Sequence, residues 1–361
     1  MWITIIAFLL IFNLVILTHE LGHFYFARRA GVRVEEFGFG WPPRIWGRKV
    51  KGTIYSINLI PVGGFVRIYG EGDESSQERE AFVSRPPLQK ILVVTGGVLM
   101  NFLLGFVVMM VGLGVGMSPL SAPVENYVND PTRIESRVVV TEVVEGSAAA
   151  TAGILPGDLI LYSSDQVFSE PAEFKNFIQN QSQRPLSLVV RRGQKDLVLE
   201  ATPIRNSEGQ IELGVLIDRS ISKVSYVWWQ IPWIALQETV RVIGLITLSI
   251  IGLLVRIFTT ASVPPELAGP VGIAKITADV VQLGWLRVLQ FIIFLSLNLG
   301  VVNLVPFPAL DGGRLAFVLA ELVRKGKKIP SRVENIFNAV GFVLIMWLLV
   351  VVTYKDILRL I

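Results

Sequence analysis

The sequence predicts a polytopic α-helical membrane protein with four transmembrane helices, cytoplasmic membrane-associated β-hairpins and one external α+β domain. Three observations predict it. The 361-residue chain is 52% hydrophobic and only 17% charged, where a soluble domain carries about a quarter charged residues. The deficit is concentrated in four stretches free of Asp, Glu, Lys and Arg over a membrane thickness, while the rest reads as ordinary aqueous protein. The basic residues sit beside those stretches, so the net charge of +4 reads as a set of topology signals and not as a nucleic-acid patch. With no cysteine there are no disulfides and no thiolate metal ligands, which leaves the redox compartment open.

The first span runs from Trp2 to Ala27, interrupted by polar residues at Thr18, His19, Glu20 and His23. A cleavable signal peptide opens with a basic segment; here Arg28 and Arg29 follow the span instead, which favours a first transmembrane helix over residues 1–27. Residues 28–90 form a cytoplasmic region. Arg33 to Gly40 and Thr53 to Leu59 alternate like strands, and Gly63-Gly64 precedes a third alternating run, Phe65 to Tyr69. Short hairpins against the membrane face are expected, followed by a mobile polar loop from Glu71 to Glu80.

The second span, Ile91 to Met117, is uncharged, and residues 118–222 form the external domain. Within residues 223–284, Val242 to Val255 offers only fourteen apolar residues between Arg241 and Arg256. That length suits an interfacial or re-entrant helix, with Trp228, Trp229 and Trp233 in the headgroup layer. The third span covers Val288 to Leu310 within residues 285–313, and the fourth Asn335 to Tyr354 within residues 335–361. Each is long enough to cross ~30 Å of hydrocarbon at ~1.5 Å per residue.

Loop charge sets the orientation. Eleven Lys or Arg residues lie from Arg28 to Lys90, and the loop over residues 314–334 adds Arg324, Lys325, Lys327 and Lys328. Both are expected on the cytoplasmic side. The net acidic segment from Leu120 to Lys223 then lies outside, with both chain ends.

Thr18-His19-Glu20-Leu21-Gly22-His23 closes the first span and contains both histidines of the protein. On a helix, positions i and i+4 share a face, so the two imidazoles can reach one ion, with Glu20 beside them to take a proton from water. A pair of histidines satisfied inside a helix bundle is the plain alternative. It is weakened because ionisable groups in an apolar span are costly, about 3 kcal/mol each on insertion scales, and three on one turn need a common partner. A catalytic zinc keeps three protein ligands. With no third histidine and no cysteine, the third must be a carboxylate. Asp311 is the candidate, at the end of Asn303-Leu304-Val305-Pro306-Phe307-Pro308-Ala309-Leu310-Asp311-Gly312-Gly313. Pro306 and Pro308 break the span, which is tolerated at membrane depth only where protein or a watery cavity covers the freed backbone.

His19-Glu20-Leu21-Gly22-His23, together with Asn303-x-x-Pro306-x-Pro308-x-Leu310-Asp311-Gly312, resembles the site-2 protease family of intramembrane metalloproteases. Within that family the sequence resembles the subgroup of bacterial regulator-of-sigma-E proteases. Gly38-Phe39-Gly40 and Pro61-Val62-Gly63-Gly64-Phe65-Val66 resemble the family's membrane-associated hairpins, and Gly269-Pro270-Val271-Gly272-Ile273 the motif before its third span. The resemblance implies Zn2+ bound by His19, His23 and Asp311, Glu20 as general base, and a role for Asn303 in positioning substrate. It also implies single-pass membrane substrates already trimmed by another protease, with an anti-sigma factor or a signal-peptide remnant as examples, and a place in the bacterial inner membrane.

Arg137 to Pro203, with Gly146-Ser147-Ala148-Ala149-Ala150-Thr151-Ala152-Gly153-Ile154-Leu155-Pro156-Gly157-Asp158, resembles a single PDZ domain of the bacterial type, which either binds peptide or gates access. Pro171 to Gln179 reads as a helix, and Leu186 to Arg191 with Leu197 to Glu200 as a hairpin. The edge near Gly63, Gly64, Phe65 and Val66 is expected to capture unwound substrate by strand pairing. Two rival readings are a non-catalytic scaffold that binds membrane helices, against which the intact Glu20 speaks, and a metal transporter, for which the chain has too few intramembrane histidines and carboxylates.

Overall fold

The computed structural model describes residues 2–71, 78–181, 184–193, 195–205, 209–260, 269–324 and 329–358. In chain order the regular elements are α1 (Trp2–Arg29), β1 (Val34–Val50), β2 (Thr53–Ile68), α2 (Pro87–Gly114), β3 (Ile134–Val143), α3 (Ala148–Thr151), β4 (Leu159–Ser163), β5 (Gln166–Val167) and α4 (Pro171–Gln179). They continue with β6 (Leu186–Arg192), β7 (Lys195–Ala201), β8 (Ile204–Arg205), β9 (Ile211–Glu212), β10 (Val215–Val224), α5 (Ile231–Thr260), α6 (Pro270–Gln282), α7 (Trp285–Leu304), α8 (Asp311–Val323) and α9 (Ser331–Leu358). The chain divides into two compact units, one of Met1–Met110 with Ala235–Ile361 and one of Val111–Ile234.

In the first unit, apolar length makes the helices. Among the described residues five are long and apolar enough to cross a membrane: Ile5–Arg29, Pro87–Gly114, Ile231–Arg256, Trp285–Leu304 and Arg332–Leu358. Arg28 and Arg29 fall in the last turn of α1, where positive charge favours the exposed carbonyls. β1 and β2 form one antiparallel ribbon that doubles back on itself. Phe37 is paired with Val66 on one side and Tyr55 on the other, whereas Gly64–Ile68 finds strand partners only in β1. The stretch Gly64–Ile68 is therefore an edge among the described residues.

Three expectations need correction. The stretch Val242 to Val255 is not a short helix on its own but the middle of the 30-residue α5. The charges that closed the sequence window do not end the helix, because Arg241 lies 3.7 Å from a wholly buried Glu238 one turn earlier. The loop expected over residues 314–334 is helical as far as Val323, since the broken third span restarts at Asp311. The short hairpins are two strands of 17 and 16 residues. Part of the polar tract from Glu71 to Glu80, residues 72–77, and the charges Lys325, Lys327 and Lys328 lie outside the described residues.

The second unit is an α+β domain. Its main sheet has the order β10-β3-β4-β6-β7, with β5 on β4. Alternating apolar residues bury one face: Val138, Val140, Ile160, Leu188 and Val190 pack with Phe168, Phe174 and Ile178. Helix α4 starts with Pro171 after a reciprocal cap between Glu170 and Glu173, and the two strands that follow, β6 and β7, contain the runs Leu186 to Arg191 and Leu197 to Glu200 read from the sequence.

Candidate active site

The site lies in the first unit, where α1, α2, α7 and α8 meet. His19 and His23 sit one turn apart on α1, with their ring planes 79° apart. Asp311 opens α8. Its Oδ2 is 2.9 Å from His19 Nε2 and 3.1 Å from His23 Nε2, and the two Nε2 atoms are 3.1 Å apart. Two donor atoms from residues four apart and a third at least 288 residues further along the chain thus form a triangle with edges near 3 Å. A tetrahedral zinc with bonds of about 2.05 Å separates its ligand atoms by about 3.3 Å. The donor set and its spacing fit that ion.

Local sequence explains how Asp311 arrives there. Pro306 and Pro308 end the helical hydrogen bonding of α7, and the chain turns through Ala309, whose φ is +67°. Gly312 packs against the carbonyls of Leu304 and Val305 and Gly313 against that of Phe307, contacts no Cβ could occupy. Gly341 of α9 lies equally close to Pro308. Glycines of α8 and α9 thus pack against the freed backbone of the broken span, while Leu304, Pro306 and Ala309 remain exposed.

Glu20 lines a cavity of about 200 Å³ with His19, His23, Asp311, Phe65, Val66, Glu71 and Arg314. Arg314 pairs with Glu71 at 2.7 Å, so a cation and its partner stand in the same wall. Phe65 and Val66 are thus brought to the cavity, while Gly63 and Gly64 lie against α1. A Cβ at Gly64 would stand 2.8 Å from Leu17 Cδ2 and 2.9 Å from the Gly38 carbonyl oxygen, with Glu20 Cγ in ordinary contact at 3.8 Å. Asn303 stands with its Nδ2 3.3 Å from His19 Nε2.

Several residues at the site carry no motif and escape a motif reading. Asn13 ties β2 to α1: its Nδ2 donates to the carbonyl of Pro61 at 2.9 Å and its Oδ1 accepts from Gly63 N at 2.8 Å. Helix α2 forms a wall behind the rings. His23 Nδ1 lies 2.9 Å from the Val93 carbonyl, so it carries a proton there and leaves Nε2 free to bind a metal. Gly97 faces both rings, and Lys90 joins α2 to α8 through Glu321 at 2.8 Å in a largely buried pair. An uncharged polar residue in an apolar run, such as Asn13, was the one signal available from sequence.

Comparison with known proteins gives the context. The profile of peptidase family M50 matches residues 7–348. A Clostridium perfringens protein that carries a zinc metalloprotease name is 34% identical over 98% of both chains. The regulator of sigma-W protease RasP of Bacillus subtilis is 29% identical over 99% of each chain. The chloroplastic membrane metalloprotease ARASP of Arabidopsis thaliana is 31% identical over 96% of this chain and 77% of its own. The PDZ domain of an SdrC-like protein from Listeria innocua aligns with 22% of this chain and 92% of its own at 27% identity, with a TM-score of 0.21 that carries no fold argument. With a match across nearly its whole length, the chain belongs to peptidase family M50, the site-2 protease family of zinc-dependent peptidases.

Proposed function

We propose that His19, His23 and Asp311 hold the zinc of an intramembrane metalloprotease, and that Glu20 is its general base. The observation that carries this reading is the triangle of three donor atoms near 3 Å apart, with a carboxylate in the same cavity. When bound, zinc supplies Lewis acidity at a peptide carbonyl. Glu20 takes a proton from the attacking water and returns it to the leaving amine. Asn303, beside His19, orients the substrate backbone. Substrates are single-pass membrane proteins, an anti-sigma factor among them, a class in keeping with a relative named as a regulator of sigma-W protease. A helical peptide bond is masked by its own hydrogen bonds, so the substrate unwinds and pairs with the free edge Gly64–Ile68, whose Phe65 and Val66 line the cavity. Glu20→Gln tests the assignment: cleavage of a membrane-embedded reporter should fall at least 10²-fold with one zinc retained per chain. A variant that cuts as wild type removes Glu20 from the chemistry, and a wild-type protein with no stoichiometric zinc removes the site.

The protein belongs in a bacterial cytoplasmic membrane with the β ribbon on the cytoplasmic side and the α+β unit outside. Four crossings are favoured, with α5 kept on the outer face. Gly269 N and Gly272 N donate to Asp356 Oδ2 at 2.8 and 2.7 Å near the end of α9, which this orientation puts outside. From Thr260 to Gly269 the chain reaches at most about 32 Å, which leaves no slack for a return across ~30 Å of hydrocarbon.

The α+β unit reads as a PDZ-like peptide binder. Support comes from a cavity of about 320 Å³ between α4 and the segment Gln210–Ile217, where β10 is paired on one side only, with β3.

A further inference from the structure

We propose that Asn101 is a positioning residue for the metal site: its side-chain oxygen accepts a hydrogen bond from His19 Nδ1–H, fixing the tautomer and the ring plane of that ligand. The inference rests on the zinc assignment above and concerns a residue that assignment does not use.

Asn101 is wholly buried in α2. Its amide group lies against His19, with Nδ2 3.5 Å from Nδ1, while its Oδ1 is buried with no partner among the described residues. A histidine that offers Nε2 to zinc must carry its proton on Nδ1. An amide NH2 facing that proton sets donor against donor. Turning the amide about its terminal bond brings Oδ1 to the ring and makes the contact a hydrogen bond; nitrogen and oxygen of an amide are told apart by such partners. The backbone is held for the purpose, because the Asn101 carbonyl accepts from Ser296 Oγ of α7 at 2.8 Å.

The placement follows a helical rule. Val93, Gly97 and Asn101 stand at i, i+4 and i+8, on one face of α2. Val93 O receives His23 Nδ1 at 2.9 Å, Gly97 leaves room for both rings, and Asn101 meets His19 Nδ1. One face of one helix thus orients both imidazoles from behind, one by a main-chain oxygen and the other by a side-chain oxygen.

The test compares Asn101→Leu, which keeps the volume and removes the acceptor, with Asn101→Asp, which keeps an oxygen in place. Zinc affinity is measured by chelator competition on the full-length protein in detergent. The chain has two histidines, so 15N-histidine spectra of the zinc-loaded protein resolve each ring. The expected result is a 10- to 100-fold loss of affinity in Asn101→Leu, wild-type or tighter affinity in Asn101→Asp, and a protected, downfield His19 Nδ1–H in wild type. Wild-type affinity in Asn101→Leu overturns the proposal, and so does equal weakening in both variants. If Asn101→Leu does not fold, the wild-type spectrum decides alone: an exchanging His19 Nδ1–H without a hydrogen-bonded shift overturns it. A wild-type protein that takes up no zinc sinks the underlying assignment instead, so the two failures are distinguishable.

Discussion

Gly97→Ala places one methyl group against both imidazoles of the proposed metal site. A Cβ at position 97 would stand 2.5 Å from His19 Cε1 and 2.5 Å from His23 Nε2. Ordinary contact begins at 3.4 Å, so by subtraction the rings or α2 must yield by about 0.9 Å. A metal site tolerates about 0.2 Å in its ligand distances, and a misplacement of about 1 Å in a catalytic constellation costs on the order of 10²-fold in rate. The helix itself gains from the change, because Ala is about 1 kcal/mol better than Gly in a helix interior. Gly97→Ala should therefore give a folded protein with weakened zinc binding and cleavage reduced on the order of 100-fold. Gly252→Ala in α5 is the matched control, since nothing lies within 4 Å of its Cβ position. The assay measures reporter cleavage, zinc per chain and thermal unfolding of the apo form for both variants. Wild-type zinc affinity and cleavage in Gly97→Ala would refute the claim that α2 sets the position of the rings.

Three further outcomes follow from the same geometry. Prolines at Val66 and Ile68 should impair cleavage more than zinc binding, because they remove main-chain donors from the ribbon where substrate pairs; equal activity, or equal loss of both readouts, removes strand capture. The chain contains no cysteine, so single cysteines report sidedness cleanly. With an impermeant maleimide, Arg256→Cys and Gln282→Cys should label from the same side as Lys195→Cys and the opposite side from Lys49→Cys; labelling of position 256 with position 49 would make α5 a crossing. In the α+β unit, saturating peptide should slow hydrogen exchange at Val215 to Ile217, and an unchanged rate under saturation would leave that unit as a gate only.

Local chemistry made much of this protein legible before any coordinates. Charge-free length marks a membrane span because the bilayer offers no partner for charge. The alternation of Leu186 to Arg191 and the proline start at Pro171 act within a few residues, and β6 and α4 begin where those signals fall. His19 and His23 carry their relation in a spacing of four, because one helical turn fixes it. Asp311 could be proposed from the sequence by elimination, since few groups in this chain can bind zinc, and the structure brings its carboxylate beside both imidazoles.

The tertiary structure decided what depends on partners remote in sequence. A charge predicts the end of an apolar helix, yet α5 runs through Glu238 and Arg241, because a pair one turn apart offsets part of its own cost. Asn13, Val93, Gly97 and Asn101 have no distinctive spacing to any motif. Their importance lies in what they touch: a strand 48 residues away for Asn13, and imidazoles 70 to 82 residues away for Val93 and Asn101. Sequence points to the proposed ligands because their identity is chemical. Packing specifies their orientation, because a ring plane is set by the oxygen behind it and by the absence of a methyl group beside it.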